Sequence, residues 1–157
     1  MFHDAVVSGK TICGPVIASA IEKALKMGES NACMKRIVAA PTAGACGVVP
    51  AVYLTLQEQR QIDDERMLEA MYIASGVGGV IANRAFLAGA AGGCQAEIGS
   101  ASSMAAAGAV YLAGGDTEAI IHAAAMAMKN LLGLACDPVA GLVEVPCVKR
   151  NVVGCLL

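Results

Sequence analysis

"CQAEIGSASSMAAAGAVYL", Cys94 to Leu112, is the stretch that decides the fold class. It is rich in alanine, the best helix former, with only small polar side chains between. Gly92 and Gly93 precede it in a turn, "AGAAGG" (88–93), and "AGGD" (113–116) ends it. It therefore reads as a helix of small residues that neighbouring elements can approach closely. Cys94 opens that helix.

The same grammar extends in both directions. Downstream, Asp116 is placed to cap a helix over Thr117–Leu134, with Asp137-Pro138 closing it, because the residue before a proline avoids the helical region. Upstream, Glu65 to about Phe86 is helical in pattern, with Asp63 or Asp64 as its cap. The "SGVGG" inside it (75–79) predicts a kink or very close packing. Val49–Gln61 is a helix with Pro50 in its first turn. Residues 37–48, "IVAAPTAGACGV", form a small-residue loop, and Pro15–Met27 is an amphipathic helix that Gly28 can stop. "GLVEVPCV" (141–148) reads as a short strand or an extended loop. No strand alternation persists anywhere, so the expected fold class is all-α: one compact multi-helix domain over residues 1–157, with a cysteine-bearing loop near its C-terminus.

Composition supports this and excludes other classes. Hydrophobic residues make up 57% and aromatics only 3%, so the core must be built from Ala, Val, Leu, Ile and Met. The net charge of −2 offers no basic patch, which argues against nucleic acid. Two apolar stretches approach the roughly 20 residues of a membrane span. Asn83 and Arg84 interrupt one, and His122, Lys129 and Asn130 the other, so no membrane segment is expected. The start, "MFHDAVVSGK", lacks the charged head and apolar centre of a signal peptide, which makes a cytoplasmic, reducing location the default. Seven cysteines are many for such a place. Cys13, Cys33 and Cys155 read as small buried hydrophobes.

The remaining cysteines lie at expected helix boundaries: Cys46 in a glycine loop, Cys94 at a helix start, Cys136 at a helix end and Cys147 in the loop beyond. Such positions are accessible to a metal. Four thiolates would suit structural zinc, and three with an open position would suit a catalytic iron–sulfur cluster. Spacing alone does not choose between them.

The segments "APTAGACGVVPA" (40–51), "GGCQAEIGSASSMAAAG" (92–108) and "LGLACDPVAGLVEVPCVKRN" (132–151) closely resemble the catalytic domain of iron–sulfur L-serine dehydratase, in particular the alpha chain of its two-subunit form. The resemblance runs from about Gly14 to Gly154. It implies that Cys94, Cys136 and Cys147 hold a [4Fe–4S] cluster whose remaining iron removes the serine hydroxyl as a Lewis acid, giving pyruvate and ammonia. It implies a substrate-binding segment at Thr42, Gly44, Cys46 and Gly47, with the hydroxyl of Thr42 and the N–H groups of 44–47 on the serine carboxylate. Cys46 stands where the family commonly has alanine. A beta chain or a second copy is the implied partner. Family alpha chains are longer, so the chain reads as truncated at both ends, and the general base is expected in the absent segments. The alternatives are a folded, inactive apo fragment that only oligomerises, and a zinc-binding module.

Other polar residues carry plainer readings. Asp137 caps or orients its loop. Glu97, three residues after Cys94, is either a second carboxylate behind the cysteine or a structural group. Ser100, Ser102 and Ser103 pack, and His122 is structural. Lys149, Arg150 and Asn151 form either an anion-binding group or a solvated turn.

Overall fold

The computed structural model describes residues 1–134 and 144–157. Eight α-helices and one 3₁₀ turn account for its regular structure, and there is no strand among the described residues. The helices are α1 (Phe2–Val7), α2 (Gly14–Ala32), α3 (Val48–Arg60), α4 (Asp64–Arg84), α5 (Gly89–Gly92), α6 (Cys94–Leu112), α7 (Thr117–Lys129) and α8 (Glu144–Leu156). The 3₁₀ turn covers Ala43–Ala45. The all-α expectation holds.

Helix α6 is the axis of the molecule. It packs against α3, α4, α7 and α8, and most of its residues from Ile98 to Gly108 are buried. A helix enclosed on so many faces needs small side chains, and its hydroxyls must find partners. They do so on nearby backbone: Ser100 Oγ donates to the Ala96 carbonyl at 2.7 Å, Ser102 Oγ to Gly154 at 2.9 Å, and Ser103 Oγ to Ala124. The three serines are packing residues with internal bonds. The larger core side chains around them are Val48, Val49, Tyr53, Met67, Ile98, Met104 and Leu131.

The caps follow the sequence. Asp63 accepts from the Arg66 N–H at 2.8 Å, and Asp116 from the Ala119 N–H at 2.8 Å, which satisfies one exposed donor at the start of α4 and of α7.

Several boundaries differ from the sequence reading. Gly28 does not stop α2, which continues to Ala32. A Cβ there would lie 3.3 Å from Val148, so its glycine serves the close crossing of α2 and α8. Helix α4 runs unbroken through "SGVGG" to Arg84; close packing is the role of Gly78, which faces the Met104 side chain. The "AGAAGG" turn contains the single helical turn α5. Helix α7 ends at Lys129 rather than Leu134, and Gly133 follows at φ 79°. From Glu144 the expected strand or loop is helix α8. Pro146 is its third residue, where a missing N–H costs nothing. Cys33 is exposed, unlike the buried residue expected, and Cys13 and Cys155 are half-buried.

No helix among the described residues is long and apolar enough to cross a membrane. An apolar groove of about 500 Å³ runs between α4 and α7, flanked by the exposed Val80 and Ile121.

Candidate functional site

The site is assembled where the start of α6, the 3₁₀ loop and the first turns of α8 meet. Cys94 is the first residue of α6 and is buried. Cys147 lies in the first turn of α8, not in a loop. The two sulfurs are 3.2 Å apart, although 53 residues separate them in sequence. Cys136, the third expected ligand, and Asp137 lie outside the described residues. Among the described residues, no group of three or more His, Cys, Asp or Glu side chains converges on a metal position.

The loop that carries Thr42, Gly44, Cys46 and Gly47 is fixed to this cysteine pair by one side chain. Asn151 on α8 is 1% exposed. Its Oδ1 accepts from the Gly47 N–H at 2.7 Å, and its Nδ2 donates to the Gly44 carbonyl at 2.9 Å and the Cys147 carbonyl at 2.9 Å. One acceptor and two donors are thereby matched to loop and ligand helix together. Gly47 must be glycine for this approach: a Cβ would lie 2.8 Å from the Ala24 carbonyl and 2.9 Å from Asn151 Cβ. Asn151 is therefore neither part of a solvated turn nor an anion ligand. Its neighbours Lys149 and Arg150 are exposed and half-buried respectively.

The loop's own donors are largely engaged. Ala45 N–H bonds to the Thr42 carbonyl at 3.3 Å, Cys46 N–H to Ala43 at 3.2 Å, and Gly47 N–H to Asn151. The N–H cradle expected for a substrate carboxylate is thus reduced, because three of its four donors hold the turn and the seam together. Thr42 Oγ1 is different: it is buried and has no hydrogen-bond partner among the described residues. Cys46 is fully buried, its thiol donates to the Met27 carbonyl at 3.7 Å, and burial raises its pKa. That is the geometry of a small packing residue. A cavity of about 50 Å³ lies beside Gly44, Asn31, Cys147 and Asn151, little more than one water's share of liquid volume, about 30 Å³.

Glu97 was one of two equal readings in sequence. Its half-buried carboxylate reaches across to the loop: a Cβ placed on Gly44 would overlap Oε2, and one on Gly89 would lie 2.5 Å from it. His122 is an exposed residue, 3.6 Å from Glu118 one turn away, and takes no part in the site. The sequence reading missed Asn151 as the clamp. Its best signal was the asparagine four residues after Cys147, which helical spacing returns to the face of that cysteine.

The arrangement brings two thiols, an unpaired hydroxyl and a carboxylate around one glycine loop. The family described as "Serine dehydratase alpha chain" matches residues 3–156. The "Probable L-serine dehydratase, alpha chain" of Bacillus subtilis (strain 168) is 53% identical over 147 residues, 94% of this chain and 49% of that protein. The "L-serine dehydratase, alpha chain" of Peptoniphilus asaccharolyticus is 48% identical over 94% of this chain and 50% of its own length. "L-serine dehydratase 2" of Escherichia coli (strain K12) is 43% identical over 83% of this chain and 29% of its own length. The chain spans about half the length of the two alpha chains. No solved structure matches it. By the family match and these identities, the chain belongs to the serine dehydratase alpha chain family.

Proposed function

We propose that this chain is the metal-holding core of an L-serine dehydratase, a single domain that eliminates water from L-serine to give 2-aminoacrylate, whose imine tautomer takes up water and releases ammonia to leave pyruvate. The observation that carries the reading is the approach of the Cys94 and Cys147 sulfurs to 3.2 Å, at the point where Asn151 ties in the Thr42–Gly47 loop. Two converging thiols are soft donors and fit an iron–sulfur cluster in kind. Cys94, Cys136 and Cys147 would hold a [4Fe–4S] cluster. When bound, such a group supplies Lewis acidity toward the hydroxyl that leaves.

The chain's residues then have distinct tasks. Cys94 and Cys147 would hold the group from the first turns of α6 and α8. Thr42 offers its buried, unpartnered hydroxyl to the substrate carboxylate. Gly44 and Gly47 hold the loop close enough for Asn151 to fix it, and Cys46 fills space beneath it. The base that takes the α-proton is not among these groups. The apolar groove between α4 and α7 supports docking of a beta chain or a second copy. A cytoplasmic setting, which keeps thiols reduced, suits the three ligands.

The test is anaerobic reconstitution of the chain with iron and sulfide, followed by a visible spectrum and a pyruvate assay on L-serine. A broad visible absorbance is expected, lost in each of Cys94→Ala, Cys136→Ala and Cys147→Ala. A colourless parent chain, or cysteine variants identical to it, would sink the ligand assignment. Stoichiometric zinc in place of iron would favour the zinc-binding alternative.

A further inference from the structure

Glu97 is a carboxylate without a cation. It sits in the first turn of α6, one turn after Cys94, and leans over two glycines from different elements. Cβ atoms at Gly44 and at Gly89 would each come within 2.9 Å of its carboxyl carbon. The loop and α5 thus lack side chains where the carboxylate lies.

A half-buried carboxylate ordinarily takes a hydrogen bond or an ion pair. Glu97 makes neither among the described residues. Three of the loop's donors are committed: Ala45, Cys46 and Gly47 spend their N–H groups on Thr42, Ala43 and Asn151. Residues 135–143, "ACDPVAGLV", hold no Lys, Arg or His to supply a cation. Among the described residues, then, nothing supplies its partner, and the ammonium of a ligand can do so.

The second observation lies in the same loop. Thr42, two residues before Gly44, has a buried hydroxyl with no partner. Gly44 thus lies against an unpaired carboxylate and two residues along the chain from an unpaired hydroxyl, and its carbonyl is bonded to the same Asn151 that holds Cys147. A zwitterionic amino acid has complementary needs: an anion for its ammonium and a donor for its carboxylate. We propose that Glu97 is the recognition group for the α-ammonium of the amino-acid substrate, paired with Thr42 on the carboxylate. This rests on the dehydratase reading above and deepens it: Glu97 makes the site select an α-amino acid over a plain hydroxy acid.

The test is equilibrium dialysis of labelled L-serine and of 3-hydroxypropanoate, which is serine without its amine. The anaerobically reconstituted chain is compared with Glu97→Gln and Glu97→Asp, with iron content and visible spectrum recorded for each. Glu97→Gln keeps the shape and removes the charge. It is expected to weaken L-serine roughly tenfold or more, the loss of a charge-assisted bond, and to leave 3-hydroxypropanoate and the spectrum unchanged. Glu97→Asp keeps the charge and should recover part of the preference for serine. Equal weakening of both ligands, or of neither, overturns the assignment and points to a cationic side chain of a partner as the occupant. A parent chain that binds neither ligand overturns the dehydratase reading, and this assignment with it.

Discussion

Helix α6 is gripped in two unlike ways. Toward α3 and α4 the buried middle of the contact is apolar around the Tyr53 hydroxyl, while Arg66 and Glu69 of α4 meet Tyr111 of α6 at its outer end. Tyr53 is 4% exposed, and its hydroxyl lies 3.3 Å from the Ala70 carbonyl and 3.2 Å from the Met104 carbonyl. Those carbonyls belong to helices α4 and α6, which satisfy them already. Around the start of α6, toward α8, the contact is a seam of amide and thiol. There Asn151 holds the Gly47 N–H and the Gly44 carbonyl of the loop, while Asn31 of α2 holds the neighbouring Ala43 carbonyl. Loss of the Tyr53 hydroxyl should therefore cost little, and loss of the Asn151 amide much more. The candidate site rides on the seam.

The largest effect should come from Asn151→Leu. It leaves the buried Gly47 N–H and the half-buried Gly44 carbonyl without their partner, and an unsatisfied buried group costs about 1–3 kcal/mol. A destabilisation of about 3 kcal/mol in urea unfolding is expected, with loss of metal uptake because Cys147 is no longer registered to the loop. If stability and metal uptake both survive, the loop is held by something else and the contrast between the two sides fails.

Tyr53→Phe removes one polar group from the other side. The expected cost is about 1 kcal/mol, the net worth of an ordinary hydrogen bond, with metal uptake unchanged. A cost as large as that of Asn151→Leu would show that the α3–α4 side also depends on its polar centre.

The two sides also differ in how far they were legible in the sequence. Helices α2, α3, α4, α6 and α7 followed from local rules: alanine content, the caps at Asp63 and Asp116, proline in the first turn of α3. The third segment of the site was harder. Pro146 reads as a breaker unless it is known to lie in a first turn, so α8 looked extended and Cys147 looked like a loop residue. Asn151 follows Lys149 and Arg150, a context that suggests solvent. Its partners lie 104 and 107 residues away, and no local pattern reports a bond of that span. The loop misled for the same reason: a glycine-rich turn before a helix promises free N–H groups, and whether they are free depends on a distant amide. The cysteines were found through the family motifs, since spacing alone left zinc and iron–sulfur chemistry open.

The smallest effect concerns the far end of the seam. Cys155 on α8 donates to the Val152 carbonyl at 3.1 Å, and burial pushes its thiol up to about 11. In the unfolded chain the thiol titrates near ~8.5. Because the folded value is the higher one, the contribution is fully present below the unfolded value. It is lost as pH rises through the folded one, since the unfolded chain releases its proton first. Stability should therefore decline between about pH 9 and pH 11, and Cys155→Ala should flatten that decline while costing little at neutral pH. Urea midpoints for the two proteins across that range decide it. Parallel curves would mean that the thiol reaches solvent in the folded chain, so that this end of α8 is looser than the end Asn151 holds. Curves that converge at high pH would show the seam closed to water along its whole length.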